Sequence, residues 1–209
     1  MSTLPRVLLA LASALLLLAL PLPLWRVSLI APQYPEGLGM EIYARTVRGA
    51  TEHDLGNINE LNHYIGMRAI EPEKIKDFRV IPWAIVGLTV FGVAAAIVGK
   101  RPLAIAWVVV FAIAGVVGLW DFWHWEYTYG HDLDVEHAII KVPGMSYQPP
   151  LIGAKQLLNF TATSWPALGA FVIGLSFAIG AMSAFLPRRS TTSQPAAQSA
   201  GPLHDHAVA

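Results

Sequence analysis

Two short stretches of this sequence hold most of its side chains with ligand or acid–base capacity. In Asn59-Glu-Leu-Asn-His-Tyr-Ile-Gly-Met, the residues Asn59, His63 and Met67 follow one another at intervals of four. If a helix or its capping turn runs on to Met67, an imidazole and a thioether project toward one point. That donor pair suits copper, Cu(I) in particular, and neither Mg²⁺ nor Ca²⁺. Met40, upstream, can join it. A plainer reading makes Met40 and Met67 apolar filler and bonds His63 to a backbone carbonyl. Spacing alone leaves both open.

The second stretch opens Trp120-Asp-Phe-Trp-His-Trp-Glu-Tyr-Thr-Tyr-Gly-His. It packs Asp121, His124, Glu126, His131, Asp132, Asp134 and His137 into 17 residues. An interfacial aromatic belt accounts for the tryptophans and tyrosines but not for the ionisable groups. On a helix Asp121 and His124 share a face, where the carboxylate can orient the imidazole behind a metal. A satisfied interfacial histidine is the alternative. His131 and His137 sit among acids and read as a solvated face. Asp132-Leu-Asp-Val-Glu lacks the sharp-turn glycine of a calcium loop, so calcium is not expected. Met145 adds a third thioether beside Met40 and Met67.

Composition narrows the chemistry further. Of 209 residues, 55% are hydrophobic and only 13% charged, half the charge usual in a soluble domain. Lys+Arg and Asp+Glu are 14 each, so the net charge is zero and nucleic acid is not an expected partner. The chain has no cysteine, which excludes disulfides, thiolate metal sites, iron–sulfur clusters and thioether-linked haem. Neither a phosphate-cradling glycine loop nor an H-E-x-x-H signature is present, and no nucleophile–base pair stands out.

The elements that must position these residues are membrane spans. Apolar blocks at Val7–Trp25, Val80–Gly99, Pro102–Trp120 and about Thr163–Leu186 are each long enough to cross about 30 Å of hydrocarbon. Their centres hold no Asp, Glu, Lys, Arg or His, which argues against transport or a haem between the helices. The first block is expected to be a retained anchor, with a cleaved signal peptide as the alternative. Small residues at helical spacing (Gly87, Gly92, Ala95, Gly99; Ala170, Gly174, Ala178, Ala181) point to close helix packing within the chain.

Arg6, Lys100, Arg101, Arg188 and Arg189 flank one side of the four blocks, which by the positive-inside rule is the cytoplasm. The expected division is 1–25 cytoplasmic N-terminus and first span, 26–79 first periplasmic segment, and 80–120 a transmembrane hairpin. A second periplasmic segment at 121–162, a fourth span at 163–187 and a disordered cytoplasmic tail at 188–209 complete it. The fold class is an all-α membrane protein with four transmembrane helices and a small mixed α/β cap formed by the two outer segments. Those segments hold 13 of the 14 acidic residues.

In the first segment, Met40-Glu-Ile-Tyr-Ala-Arg-Thr-Val-Arg alternates like one strand ending at Gly49. It has no evident partner within its own segment, so it is expected to pair with the second segment or with another protein. A short helix from Asp54 follows, stopped by Gly66. In the second segment, Leu151, Ile152, Leu157, Leu158 and Phe160 fit a short amphipathic helix lying on the membrane.

The blocks YPEGLGMEIYARTVRG, INELNHYIGM, WDFWHWEYTYGHDLD and VPGMSYQPPLIGAKQLLNFTATSWP are similar to those of small four-helix membrane proteins. Those proteins are encoded with periplasmic nitrous-oxide-reductase and copper-handling systems. The resemblance covers about residues 20–187, and Met40, His63, Met67, His124 and Met145 fall within its blocks. It implies copper delivery to, or maturation of, a periplasmic copper enzyme such as nitrous oxide reductase, at the bacterial inner membrane with both termini cytoplasmic. Three functions follow as expectations: a copper-binding accessory protein, a non-catalytic scaffold subunit of a membrane respiratory complex, or an enzyme with an interfacial metal site around His63 and His124.

Overall fold

The structure is a computed structural model that describes residues 1–142 and 144–186. The arginine pair Arg188–Arg189, the expected tail and its His204 and His206 lie outside the described residues. Three helices are long and apolar enough to cross a membrane: α3 (Asp77–Val98), α4 (Arg101–His131) and α5 (Leu168–Phe185). Beside them stands an antiparallel sheet of five strands.

The first apolar block divides. Helix α1 spans Thr3–Leu16 and a 3-10 turn carries it to Ala19. At 1.5 Å per residue, α1 covers only about 21 Å. Pro21 and Pro23 supply no N–H to continue the helix, and Trp25 already belongs to a strand. The expected span to Trp25 is therefore shorter than its hydropathy suggests. Even so, α1 is the centre of the bundle. The hydroxyls of Ser176 and Ser183 on α5 donate to the carbonyls of Ala12 (2.8 Å) and Pro5 (2.7 Å). Arg6 donates to the last-turn carbonyls of α3 at Ala96 and Ile97 (2.8 and 2.6 Å), where a cation complements the helix dipole.

Trp107 of α4 is fully buried and donates its indole N–H to the Leu88 carbonyl, 2.7 Å away. Gly92 and Gly180 leave the room for it, since a Cβ at either would overlap the indole. On α3 the expected small-residue face holds at Gly92 and Ala95. On α5 the buried stripe is instead Ser176, Gly180, Ser183 and Ala184, and Gly174 faces open space. Hydroxyls that reach a carbonyl serve close packing as well as alanines do.

The sheet order is β3-β2-β1-β5-β4, antiparallel throughout, with β1 at Trp25–Ala31, β2 at Tyr34–Ile42 and β3 at Val47–Gly49. Strands β4 (Gly153–Leu157) and β5 (Phe160–Pro166) come from the far end of the chain. Two expectations fail here. The strand containing Met40 does have a partner in its own segment, because β1 pairs with it, Val27 opposite Met40. The expected single strand to Arg48 is also two, since Tyr43 and Thr46 close a turn (N–H to carbonyl, 2.8 Å) between β2 and β3.

The amphipathic helix expected over Leu151–Phe160 is a hairpin instead. Leu157 pairs with Phe160 across a two-residue turn in which Leu158 takes φ 54°. Thr161, Thr163 and Trp165 alternate with the buried Ala162 and Ser164, which is the period of a strand. Strand β5 pairs along β1, from Trp25 opposite Pro166 to Ile30 opposite Thr161. One sheet thus draws on both charged segments, and the expected fourth apolar block begins in a strand before α5.

Helix α2 (Asp54–Tyr64) is pinned to the sheet by Asp54. Its carboxylate accepts the Gly39 N–H at 2.9 Å and the Thr51 hydroxyl. Burial raises the Asp54 pKa, but these donors outweigh it and hold the carboxyl below its ordinary range. The sheet core gathers Trp25, Val27, Leu38, Met40 and Val47 with Ile58 and Ile70. Helix α4 reaches it by continuing three turns past its apolar portion. Its apolar run Pro102–Trp120 gives way over Asp121–His131 to a polar and aromatic extension. From that extension Phe122, Trp125 and Tyr129 cover the core, and the Phe122 ring lies 5.2 Å from that of Trp25.

Candidate functional site

The residues expected to bind metal are held in different surroundings. Met40 is 5% exposed and packed in the apolar core of the sheet, as its position opposite Val27 requires. His63 sits exposed in the last turn of α2. That helix stops at Tyr64, where Gly66 turns left-handed (φ 78°) and the Met67 N–H returns to the Asn62 carbonyl at 2.9 Å. Met67 therefore does not occupy the i+4 position of a continuing helix. Glycine is required at the turn by backbone and by space: a Cβ at Gly66 would meet the Asp134 carbonyl at 2.7 Å.

Asn59, the third member of that spacing, is spent on structure. Its side-chain carbonyl accepts the Ile70 N–H at 2.8 Å and its amide donates back to the Ile70 carbonyl at 3.2 Å. This clamp holds the chain after Gly66 against α2. His63 lines a shallow depression of about 540 Å³ with Asn59, Glu60, Tyr64 and Ile139.

His124 lines a different cavity, of about 810 Å³, between residues 68–77 and the α4 extension. Its ring stacks on Trp120 with centroids 5.4 Å apart. Met145 lies in the loop after Val142, whose carbonyl accepts its N–H at 3.2 Å. His63 and His124 thus face separate concavities, so the interfacial centre shared by them is not assembled. Among the described residues no group of three or more His, Asp or Glu side chains gathers to hold a metal. The two histidines expected on a solvated face are exposed: His131 bonds the Tyr127 carbonyl (2.9 Å) and His137 pairs with Asp134 (2.9 Å).

Two features were not singled out from the sequence. The first is Glu126, which is 1% exposed and whose carboxyl oxygens have no hydrogen-bond partner among the described residues. It lies one turn before Gly130, where the chain crosses α4 so closely that a Cβ would overlap the Gln148 backbone. The Tyr147 N–H bonds the Gly130 carbonyl at 2.9 Å, and the Tyr147 hydroxyl is likewise buried without a partner. Burial pushes the Glu126 carboxyl up to about 8, so it is largely protonated at neutral pH.

The second is a row of side chains across one face of the sheet. Register places Arg48 opposite Glu41, Glu41 opposite Arg26, and Arg26 opposite Trp165. Arg26 donates to Glu41, the Tyr43 hydroxyl donates to Glu41 at 2.8 Å, and the Arg48 guanidinium lies 5.3 Å from the Tyr43 ring centroid. The Arg26 and Tyr43 hydrogen bonds hold the Glu41 carboxyl below the usual carboxylate range. The Trp165 side chain, beside this row, is more than half exposed. Such a row is invisible along the chain because its members come from four strands. No family model matches this chain, and no curated protein matches it either.

Proposed function

We propose that the protein is a membrane-integral accessory protein that holds a partner protein against its sheet, as a scaffold subunit of a membrane respiratory complex would. The reading includes the finer architecture: α1 joining the three long helices as a fourth membrane helix, and the sheet with α2 forming a cap on the periplasmic side, both termini cytoplasmic. One observation carries it, the ordered row Arg48–Glu41–Arg26–Trp165, in which Arg48, Arg26 and Trp165 are exposed. Fixed alternating charges beside an exposed tryptophan are the usual content of a recognition patch, where charge complementarity sets register and an aromatic anchors.

A photo-crosslinking residue at position 165 in native membranes tests this. The expected result is one discrete protein adduct, absent when the same residue stands at position 113 on the lipid-facing side of α4. Arg26→Glu sets two like charges opposite each other and should lower that adduct about tenfold. Smeared lipid adducts at both positions would end the scaffold reading.

The second reading is copper handling for a periplasmic copper enzyme. It rests on the donor types of His63 and Met67, four positions apart in the chain, with Met145 as a further thioether donor. In a chain without thiolates, Cu(I) has only imidazole and thioether to take. On this reading His63→Ala lowers retained Cu(I) by about tenfold or more, and Met67→Leu lowers it while sparing the fold. Wild-type protein that retains no Cu(I) after reconstitution under reducing conditions would remove this reading and leave the scaffold.

A further inference from the structure

A strap of irregular chain crosses the α4 extension between two glycines. Gly144 (φ 74°) and Gly153 (φ 108°) bound it, and a Cβ at either would meet nothing within 4 Å. Both can turn without hindrance, as the ends of a swinging segment must. Residues 145–152 between them form neither helix nor strand. Hydrogen bonds to neighbouring elements tether the strap. The Tyr147 N–H bonds the Gly130 carbonyl at 2.9 Å. The Gln148 carbonyl accepts the Lys155 ammonium, and the Leu151 carbonyl the Ser164 hydroxyl, each at 3.1 Å. Pro149 and Pro150 stiffen the middle, so the strap moves as a unit.

Glu126 and Gly130 stand four positions apart on α4 and share a face. At Gly130 the strap lies so near that a Cβ would sit 2.3 Å from the Gln148 nitrogen. One turn below, Glu126 is 1% exposed. Its carboxyl oxygens, like the buried Tyr147 hydroxyl, have no partner among the described residues. A neutral carboxyl can stay so enclosed, whereas a carboxylate there must gain water or a counter-charge. Burial alone raises the Glu126 carboxyl. The ionisable groups of the surrounding elements supply no compensating charge: Tyr147 on the strap, Lys155 on β4, Arg26 on β1, and Asp121, His124 and Tyr129 on α4 contribute nothing to it. Helix α4 is continuous and the strands are paired, so the strap is what can lift to admit water.

We propose that residues 144–153 are a proton-latched strap, closed on α4 while the Glu126 carboxyl keeps its proton and swung out about Gly144 and Gly153 once that proton passes to bulk water. Opening bares Gly130, Glu126 and the Tyr147 hydroxyl, and leaves the helices and the sheet in place.

Amide hydrogen exchange of the full-length protein in nanodiscs tests this, with Glu126→Gln as the control that keeps the shape and stays neutral. Protection of the strap amides, Tyr147 above all, is read relative to that control. It should fall about tenfold per pH unit between about pH 5 and pH 8, because the open strap leaves Glu126 an ordinary carboxyl. Amides of α1 and α5 should stay better protected than the strap at each pH. Gly130→Ala drives a Cβ into the Gln148 backbone and should strip the strap of protection at every pH while α1 and α5 keep theirs. If that variant does not fold, Tyr147→Phe replaces it. Removing the unpartnered hydroxyl should raise strap protection about tenfold and keep the pH slope. Equal strap protection in the wild type and Glu126→Gln across this range would overturn the latch. So would strap amides that exchange only as slowly as the bundle, since opening would then be global unfolding. A protected strap in folded Gly130→Ala, or a lost slope in Tyr147→Phe, would do the same.

Discussion

Between about pH 5 and pH 8 the wild-type protein is expected to lose stability steadily relative to its Glu126→Gln variant. The cause is the buried carboxyl of Glu126, in the polar extension of α4 beyond its apolar run. Burial raises it from 4.5, its ordinary value, to about 8 in the folded protein. The folded state therefore binds a proton that the unfolded state releases. A raised pKa contributes stability fully below the unfolded value, and that contribution is lost as pH rises through the folded value. Within the window each pH unit removes about 1.4 kcal/mol.

Glutamine has the same shape and stays neutral, so the variant lacks this slope. Other titrating groups, such as Glu41, Asp54 and the Asp134–His137 pair, act alike in both proteins and cancel in the difference. Reversible unfolding of both proteins in SDS mixed micelles, repeated at several pH values, measures it. Parallel curves would mean that Glu126 is ionised and solvated in the folded protein. Glu126→Leu should go further and stabilise at every pH, because it removes a buried polar group that has no partner among the described residues, at a cost of about 1–3 kcal/mol.

Gly180→Ala is expected to be the most damaging small substitution in the bundle. Its Cβ would overlap the Trp107 ring, and Trp107 has nowhere to go. Gly92 backs it on α3, Phe111 meets it edge-on with centroids 5.1 Å apart, and its indole N–H is held by the Leu88 carbonyl. Packed interiors do not absorb an added methyl against a fixed ring. The expected loss is about 3 kcal/mol, the upper end of overpacking costs, or a fall in Tm of about 6–12 °C for a chain of this size. A second-site test separates crowding from a general intolerance of alanine. Combined with Trp107→Phe, which vacates part of the ring volume, Gly180→Ala should cost clearly less than it does alone. Strict additivity would show that the glycine serves some purpose other than making room for the indole.

Much of the architecture was legible in the residues. The three long apolar helices follow from composition, because hydrocarbon admits only runs of that length and polarity. The stop of α2 at Gly66 follows from glycine's access to positive φ, and that stop already weakens the link between His63 and Met67. Strand β1 was not legible. Trp25-Arg-Val-Ser-Leu-Ile-Ala follows an apolar run without a break in hydropathy, and only the two prolines mark the change. Strands β4 and β5 were misread because Leu157, Leu158 and Phe160 satisfy a helical period as readily as a hairpin, and short apolar runs are ambiguous in this way.

The candidate sites divide along the same line. Residue types and local spacing by themselves determined that the chain holds runs long and apolar enough to cross a membrane, that its ionisable groups cluster in two segments, and that any soft-metal chemistry must use imidazole and thioether. Those conclusions depend on transfer free energies and ligand chemistry, which each residue carries wherever the chain goes. Which of those groups are exposed was decided only in three dimensions. Met40 became core because β1 pairs with β2, and Glu126 was sealed because residues 147–148 cross α4 at Gly130. Arg26, Glu41, Arg48 and Trp165 became one row because β1 pairs with β5, joining Trp25 to Ser164 across 139 positions of sequence. Strand register and helix crossing are long-range choices, set by the total burial of many side chains at once, and no local pattern encodes them.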